Sequence, residues 1–167
     1  IEQNAVVGRA NRLVMNRVRR VAAAFPIARF APRDKTKIVL TGNPLRPDVV
    51  ALWGAPYPAP TPDGPLHLLV FGGSQGARVF SEIVPQAVLR LPHSLKSRLD
   101  IVQQCRPEDI ETVRSLYANA GIRAELQPFF ADLPRRMAKA QLVIGRSGAG
   151  TVAELMAIGR PAILVPL

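Results

Sequence analysis

Two glycine-rich turns hold the residue types in this sequence that suit a phosphorylated ligand. Gly72-Gly73-Ser74-Gln75-Gly76-Ala77 follows the apolar run Leu66 to Phe71 and precedes a helical pattern. Bare backbone N–H groups at a helix N-terminus, with the Ser74 hydroxyl beside them, suit a phosphate. Ser74 stands where the dinucleotide fingerprint G-x-G-x-x-G needs its second glycine, and the Gly-Lys-Ser/Thr ending of a P-loop is missing. On this turn alone, phosphate binding and simple packing both stand. The second turn, Gly145-Arg146-Ser147-Gly148-Ala149-Gly150-Thr151, again lies between a strand-like run and a helical one. Two such turns in one sheet point to a single crevice for a ligand with a phosphate and a sugar. Glu154, three residues after Thr151, has two readings: the carboxylate of a capping box, or an acceptor for the vicinal hydroxyls of a ribose.

A third segment, Gly42-Asn43-Pro44-Leu45-Arg46, sets an arginine on a rigid turn. Its guanidinium matches phosphate oxygens bidentately and suits a diphosphate. His67 and His93 have no nucleophile or carboxylate at informative spacing, and no cluster of metal-ligand residues stands out. The lone Cys105 reads as a small core residue, and a single cysteine fits a reducing, cytoplasmic setting.

The elements that must position these turns alternate regularly after Pro65. Strands are expected over 66–71, 99–104, 122–127, 142–144 and 161–165, with helices over 75–91, 107–120, 132–139 and 151–158. Strands joined by crossover helices pair in parallel, which gives an α/β, doubly wound parallel sheet covered on both faces. Ahead of it, Ala10, Val14, Val18 and Val21 recur at helical spacing opposite Arg9, Arg12, Asn16, Arg19 and Arg20, which predicts a basic amphipathic helix. Short strands over 21–25 and 37–41 and a short helix over 47–52 follow. Pro56, Pro58, Pro60, Pro62 and Pro65 make a semi-rigid connection of the stretch that ends at residue 65.

The 167 residues are 48% hydrophobic, enough for one substantial core or two small ones, and no apolar run reaches the roughly 18 residues of a membrane-spanning helix. Residues 1–46 carry +8 of the chain's net +10. That asymmetry suits a polyanionic partner: nucleic acid, anionic lipid or a phosphorylated substrate. With 5% aromatic residues and no recognition motif, nucleic acid is the poorest fit of the three. The chain opens without Met and stops inside an apolar strand-like run, so it is expected to be a fragment.

Together, Glu2-Gln3-Asn4-Ala5, Gly42 to Arg46, Gly72 to Ala77 and Arg146-Ser147-Gly148-Ala149 through Glu154 resemble the bacterial glycosyltransferase family MurG, over essentially the whole chain. The resemblance implies a glycosyltransferase B architecture of two Rossmann-like doubly wound sheets, represented here mostly by the C-terminal one. Residues 1–45 would end an N-terminal acceptor-binding domain, 46–65 would connect, and 66–167 would be a truncated domain binding the UDP-sugar donor. It implies an inverting transfer of N-acetylglucosamine from UDP-GlcNAc to an undecaprenyl-diphosphate-linked muramoyl-pentapeptide, in peptidoglycan synthesis. Two alternatives are another UDP-sugar transferase of this fold and a non-catalytic UDP-sugar-binding half that needs a membrane partner. By motif, Asn4 would face the sugar side, Arg46 the diphosphate, Ser74 a donor phosphate and Phe130 the uracil. Ala149, Gly150, Thr151, Val152, Ala153 and Glu154 would wrap the nucleotide sugar, with Glu154 on the ribose. No metal and no cofactor are implied, UDP-GlcNAc being a substrate. The catalytic base is expected outside the chain, which alone would be inactive. The family's setting is peripheral, on an anionic membrane surface at the cytoplasmic face of the bacterial inner membrane. The family usually has His where Ile1 stands.

Overall fold

A computed structural model describes residues 1–166, the side chains of residues 73–77 excepted. It divides into two compact units, Ile1–Arg46 and Pro47–Leu167. The first holds α1 (Arg9–Val14), β1 (Val21–Ala23) and β2 (Ile38–Leu40). β1 and β2 pair in parallel with Val21 opposite Ile38 and Ala23 opposite Leu40. Val7, Met15 and Val21 form a small core with Ile27 packed against it.

The amphipathic helix expected from Ala10 to Val21 is shorter than its spacing suggests. α1 ends after Val14, contributes no buried residue, and leaves Leu13 78% and Val14 50% exposed. Val14, Val18 and Val21 are β-branched and weak helix formers. Asn16 is also engaged elsewhere: its Oδ1 accepts from Arg33 N at 3.0 Å and its carbonyl from Lys37 Nζ at 3.0 Å. These bonds tie the chain after α1 to the segment before β2.

The second unit begins with α2 (Pro47–Val50) and runs through β3 (Leu66–Phe71), α3 (Gly73–Leu89), α4 (His93–Lys96), β4 (Leu99–Gln104), α5 (Ile110–Asn119), β5 (Arg123–Gln127), α6 (Leu133–Lys139), β6 (Leu142–Arg146), α7 (Ala149–Ile158) and β7 (Ala162–Val165). All five strands pair in parallel in the order β5-β4-β3-β6-β7. β3 is a near-continuous apolar run because it lies mid-sheet under both helical layers. Leu68 and Val70 face Phe80, Val84 and Val88 of α3 and Val113 and Tyr117 of α5 in the main core, where Cys105 is also buried. The other layer holds α6 and α7, which pack on each other, α6 also touching β3 and α7 touching α2.

The proline-rich stretch expected as a connection over 46–65 divides at Arg46, and everything from Pro47 onward lies with the second unit. Gly54 N donates to the Ala157 carbonyl at 2.9 Å, and Tyr57 Oη to the Gln141 carbonyl at 3.1 Å. Arg98 donates to the carbonyls of Gly64 and Thr61 at 2.9 and 2.6 Å.

Candidate functional site

The chain runs outward from β3 through β4 to β5, then returns to the other side of β3 as β6 and β7. Such a reversal opens a crevice at the carboxyl ends of the two strands where it occurs, here β3 and β6. A cleft of about 640 Å³ lies there, lined by Gly72 after β3, Gln104 at the end of β4, Phe129 and Phe130 after β5, Arg146 at the end of β6, and the start of α7. A cavity of similar size between α3 and the sheet is lined almost wholly by carbon, including Ile83, Val84, Leu142 and Ile163, and offers no comparable set of polar groups.

α7 is capped by Gly148 in an extended conformation, with no side-chain hydrogen bond at the cap, and its first internal bond runs from Val152 N to the Gly148 carbonyl at 3.0 Å. Gly150 lines the cleft, and a Cβ placed there would meet nothing within 4 Å. The glycine thus leaves bare backbone and open room at a helix start, an arrangement suited to an anion. The capping-box reading of Glu154 fails, because the cap is Gly148 and not Thr151; both Thr151 and Glu154 line the cleft instead. The Arg146 Nη1 donates to the Pro166 carbonyl at 2.7 Å, while its Nε is buried without a hydrogen-bond partner among the described residues.

Phe130 is 5% exposed, with the Arg136 guanidinium 4.4 Å above its ring. That guanidinium is held by Glu125 and Asp132, each at 2.7 Å, and the hydrogen bond to Glu125, with that to Asp132, raises its pKa against the opposing effect of burial. Neighbouring Phe129 is 70% exposed and also lines the cleft, so it presents the freer aromatic face. Phe129, Gln104 and Leu133 were not singled out from the sequence. The signal for Gln104 was available, since it ends a strand at the sheet's carboxyl edge.

The structure brings together Gly72, Phe130, Gly150, Thr151 and Glu154. Ala149 and Ala153 do not line the cleft, and Val152 faces a separate groove with Leu155, Met156 and Arg160. Of the run 149–154, Gly150, Thr151 and Glu154 line the cleft, since a helix shows only one side to it. The Ser74 side chain lies outside the described residues. Asn4 and Arg46 belong to the first unit, where Asn4 N donates to Glu2 Oε1 at 2.9 Å and Arg46 is exposed. Glu2, in the same motif, is 3% exposed and structural. Its Oε2 accepts from Gly8 N at 2.8 Å and Asn11 Nδ2 at 3.0 Å. Burial raises its pKa, but these bonds and those of Asn4 outweigh it and leave a value of about 2. His67 Nδ1 sits 3.3 Å from Asp100 Oδ2 near the opposite ends of the strands, away from the cleft. Among the described residues no group of three His, Cys, Asp or Glu side chains is placed to hold a metal.

Residues 67–167 match the glycosyltransferase family 28 C-terminal domain. The chain belongs to glycosyltransferase family 28. It is 55% identical, over 166 residues, to the UDP-N-acetylglucosamine--N-acetylmuramyl-(pentapeptide) pyrophosphoryl-undecaprenol N-acetylglucosamine transferase of Paramagnetospirillum magneticum, covering 99% of this chain and 45% of that relative. A Methylobacterium sp. protein of the same name is 57% identical over 168 residues, with the same two coverages. The crystal structure of Acinetobacter baumannii MurG superposes with a TM-score of 0.74 at 32% identity, covering 99% of this chain and 44% of that one. The family 28 chain thus spans a little under half the length of the curated relatives it matches. The α/β fold of glycosyltransferase B type expected from the motifs agrees with this superposition and with the five-stranded parallel sheet.

Proposed function

We propose that the chain supplies the donor-binding part of an enzyme that moves N-acetylglucosamine from UDP-GlcNAc to the muramoyl 4-hydroxyl of an undecaprenyl-diphosphate-linked muramoyl-pentapeptide. The observation that carries this reading is identity of 55–57% to two transferases of that name, over 99% of the chain. The position of the cleft, at the carboxyl ends of β3 and β6, agrees with it.

In this reading the uridine lies by Phe129 and Phe130, Glu154 accepts from the ribose hydroxyls, and the diphosphate meets the starts of α3 and α7, with Ser74 and Arg46 as further donors. Asn4 stands toward the sugar. Residues 1–45 belong to an acceptor-binding domain. In the transfer, a bond forms between the acceptor oxygen and the anomeric carbon on the face opposite UDP, while the bond to UDP breaks and UDP takes the electron pair. Preorganised N–H dipoles at the helix starts stabilise the charge that develops on the departing diphosphate. The acceptor's proton goes to a base to which no residue of this chain is assigned. The strongly basic first unit suits an anionic membrane surface, at about 1 kcal/mol per Lys or Arg near the headgroups. In this reading the protein works peripherally, at the cytoplasmic face of the inner membrane. Among the described residues no helix is long and apolar enough to cross a membrane.

A chimera tests the reading: residues 1–167 replace the matching segment of the Paramagnetospirillum magneticum relative, and transfer from radiolabelled UDP-GlcNAc to the lipid-linked acceptor is measured. Labelled lipid-linked disaccharide is the expected product. A folded chimera that transfers nothing, beside an active parent, contradicts the proposal.

A further inference from the structure

Gln103 and Gln104 are consecutive at the end of β4, and strand alternation sends their side chains to opposite faces. Gln103 is fully buried, its Oε1 accepting from Tyr117 Oη at 2.7 Å. Gln104 lines the cleft. Its Oε1 accepts from Gly72 N at 3.3 Å, and its Nε2 donates to the Pro128 carbonyl at 3.0 Å. One planar amide thus bridges the two turns that flank β4, after β3 and after β5.

The two partners serve different parts of the ligand in the proposed function, on which this inference rests. Gly72 caps α3, whose start takes phosphate, and Pro128 leads into Phe129 and Phe130, which take the base. We infer that Gln104 is a positioning residue that fixes the span between the phosphate turn and the base turn, so that the cleft selects a nucleoside diphosphate over the monophosphate. The residue type follows from the bonds. Glutamate has no N–H for the Pro128 carbonyl and brings a negative charge toward the diphosphate. Asparagine has both groups but is one methylene shorter and cannot reach both turns at their present separation. Methionine has the length and neither polar group.

The test is calorimetric titration of the 167-residue chain with UDP and with UMP, for wild type, Gln104→Met and Gln104→Asn. Loss of the bridge lets the two turns drift apart. The Kd for UDP is expected to rise about tenfold in both variants while that for UMP changes less than about threefold, so that the preference for the diphosphate falls. A role limited to holding the fold lowers the melting temperature and weakens both ligands alike. An unchanged UMP-to-UDP ratio in a folded variant therefore overturns the assignment. If Gln104→Met does not fold, the ratio in Gln104→Asn decides. Wild-type chain that binds neither nucleotide overturns the underlying reading of the cleft, a result distinct from an unchanged ratio.

Discussion

One edge of the Arg160 guanidinium donates twice to the Ala138 carbonyl, from Nη2 at 2.7 Å and from Nε at 3.1 Å. Arg160 is buried, and its other hydrogen bonds run to the carbonyls of Ala55, Pro56, Ile158 and Gly159 at 2.8–3.1 Å. A positive charge at the carboxyl ends of α6 and α7 answers carbonyls that the helices leave over. It also fastens residues 55 and 56 to the second unit. Replacing Arg160 with Met removes all of these bonds, leaves the buried Ile158 carbonyl without this donor, and is expected to cost about 3 kcal/mol in urea unfolding. Arg160→Lys keeps the charge but loses the planar fork and should recover only part of that. Equal stability of wild type and Arg160→Met contradicts the clamp.

The buried pair of Tyr117 and Gln103 gives a second stability prediction. Tyr117 Oη donates to Gln103 Oε1, whose amide in turn donates to the Phe80 carbonyl at 3.3 Å. Tyr117→Phe leaves the Gln103 oxygen buried without that donor and should destabilise the chain by about 1–3 kcal/mol. Burial also pushes the Tyr117 phenol above its usual range, so no tyrosinate absorbance from it is expected at pH 10 in the folded chain. Denaturant titration and ultraviolet pH titration check the two statements.

Acid should loosen the first unit through Glu2. Its carboxyl titrates at about 2 when folded against 4.5 ordinarily, so its contribution is complete above about pH 4.5 and is lost as pH falls toward 2. The shift corresponds to about 3 kcal/mol at neutral pH. Amide signals of Val21–Ala23, the strand that bridges Glu2, should broaden over that window. Glu2→Gln should lower stability at neutral pH and flatten the acid dependence; an unchanged acid slope contradicts the assignment.

Much of the second unit was legible because its strands are bounded by chemistry. β3 lies between Pro65 and Gly72, and β4 ends where apolar alternation gives way to Arg106-Pro107, so both match their expected limits. α7 stops at Gly159, whose φ of 74° suits glycine. The first unit was harder to read, since the spacing of its valines is helical but Asn16 ties the chain after α1 to a segment about twenty residues on. Long-range bonds of this kind leave no local trace. The same holds for Arg160, whose partners Ala55, Pro56 and Ala138 come from distant parts of the chain. Within the site, the turns were visible through their glycines, whereas the side of α7 that faces the cleft depended on where the helix starts.

Glu154 supplies a prediction inside the cleft. A carboxylate accepting from ribose hydroxyls makes a charge-assisted bond worth about 1.5–3 kcal/mol. Glu154→Ala should therefore weaken UDP-GlcNAc binding about tenfold or more, while the 2′-deoxyribose analogue should lose much less. Equal losses for the two ligands would remove the ribose assignment.

The most direct test of the central claim is calorimetric titration of the folded chain with UDP-GlcNAc, with ADP-glucose as the control. Saturable binding at one site, with ADP-glucose at least about tenfold weaker, is the predicted result. A folded chain that binds neither nucleotide sugar, or binds both equally well, would contradict a UDP-sugar site in this cleft.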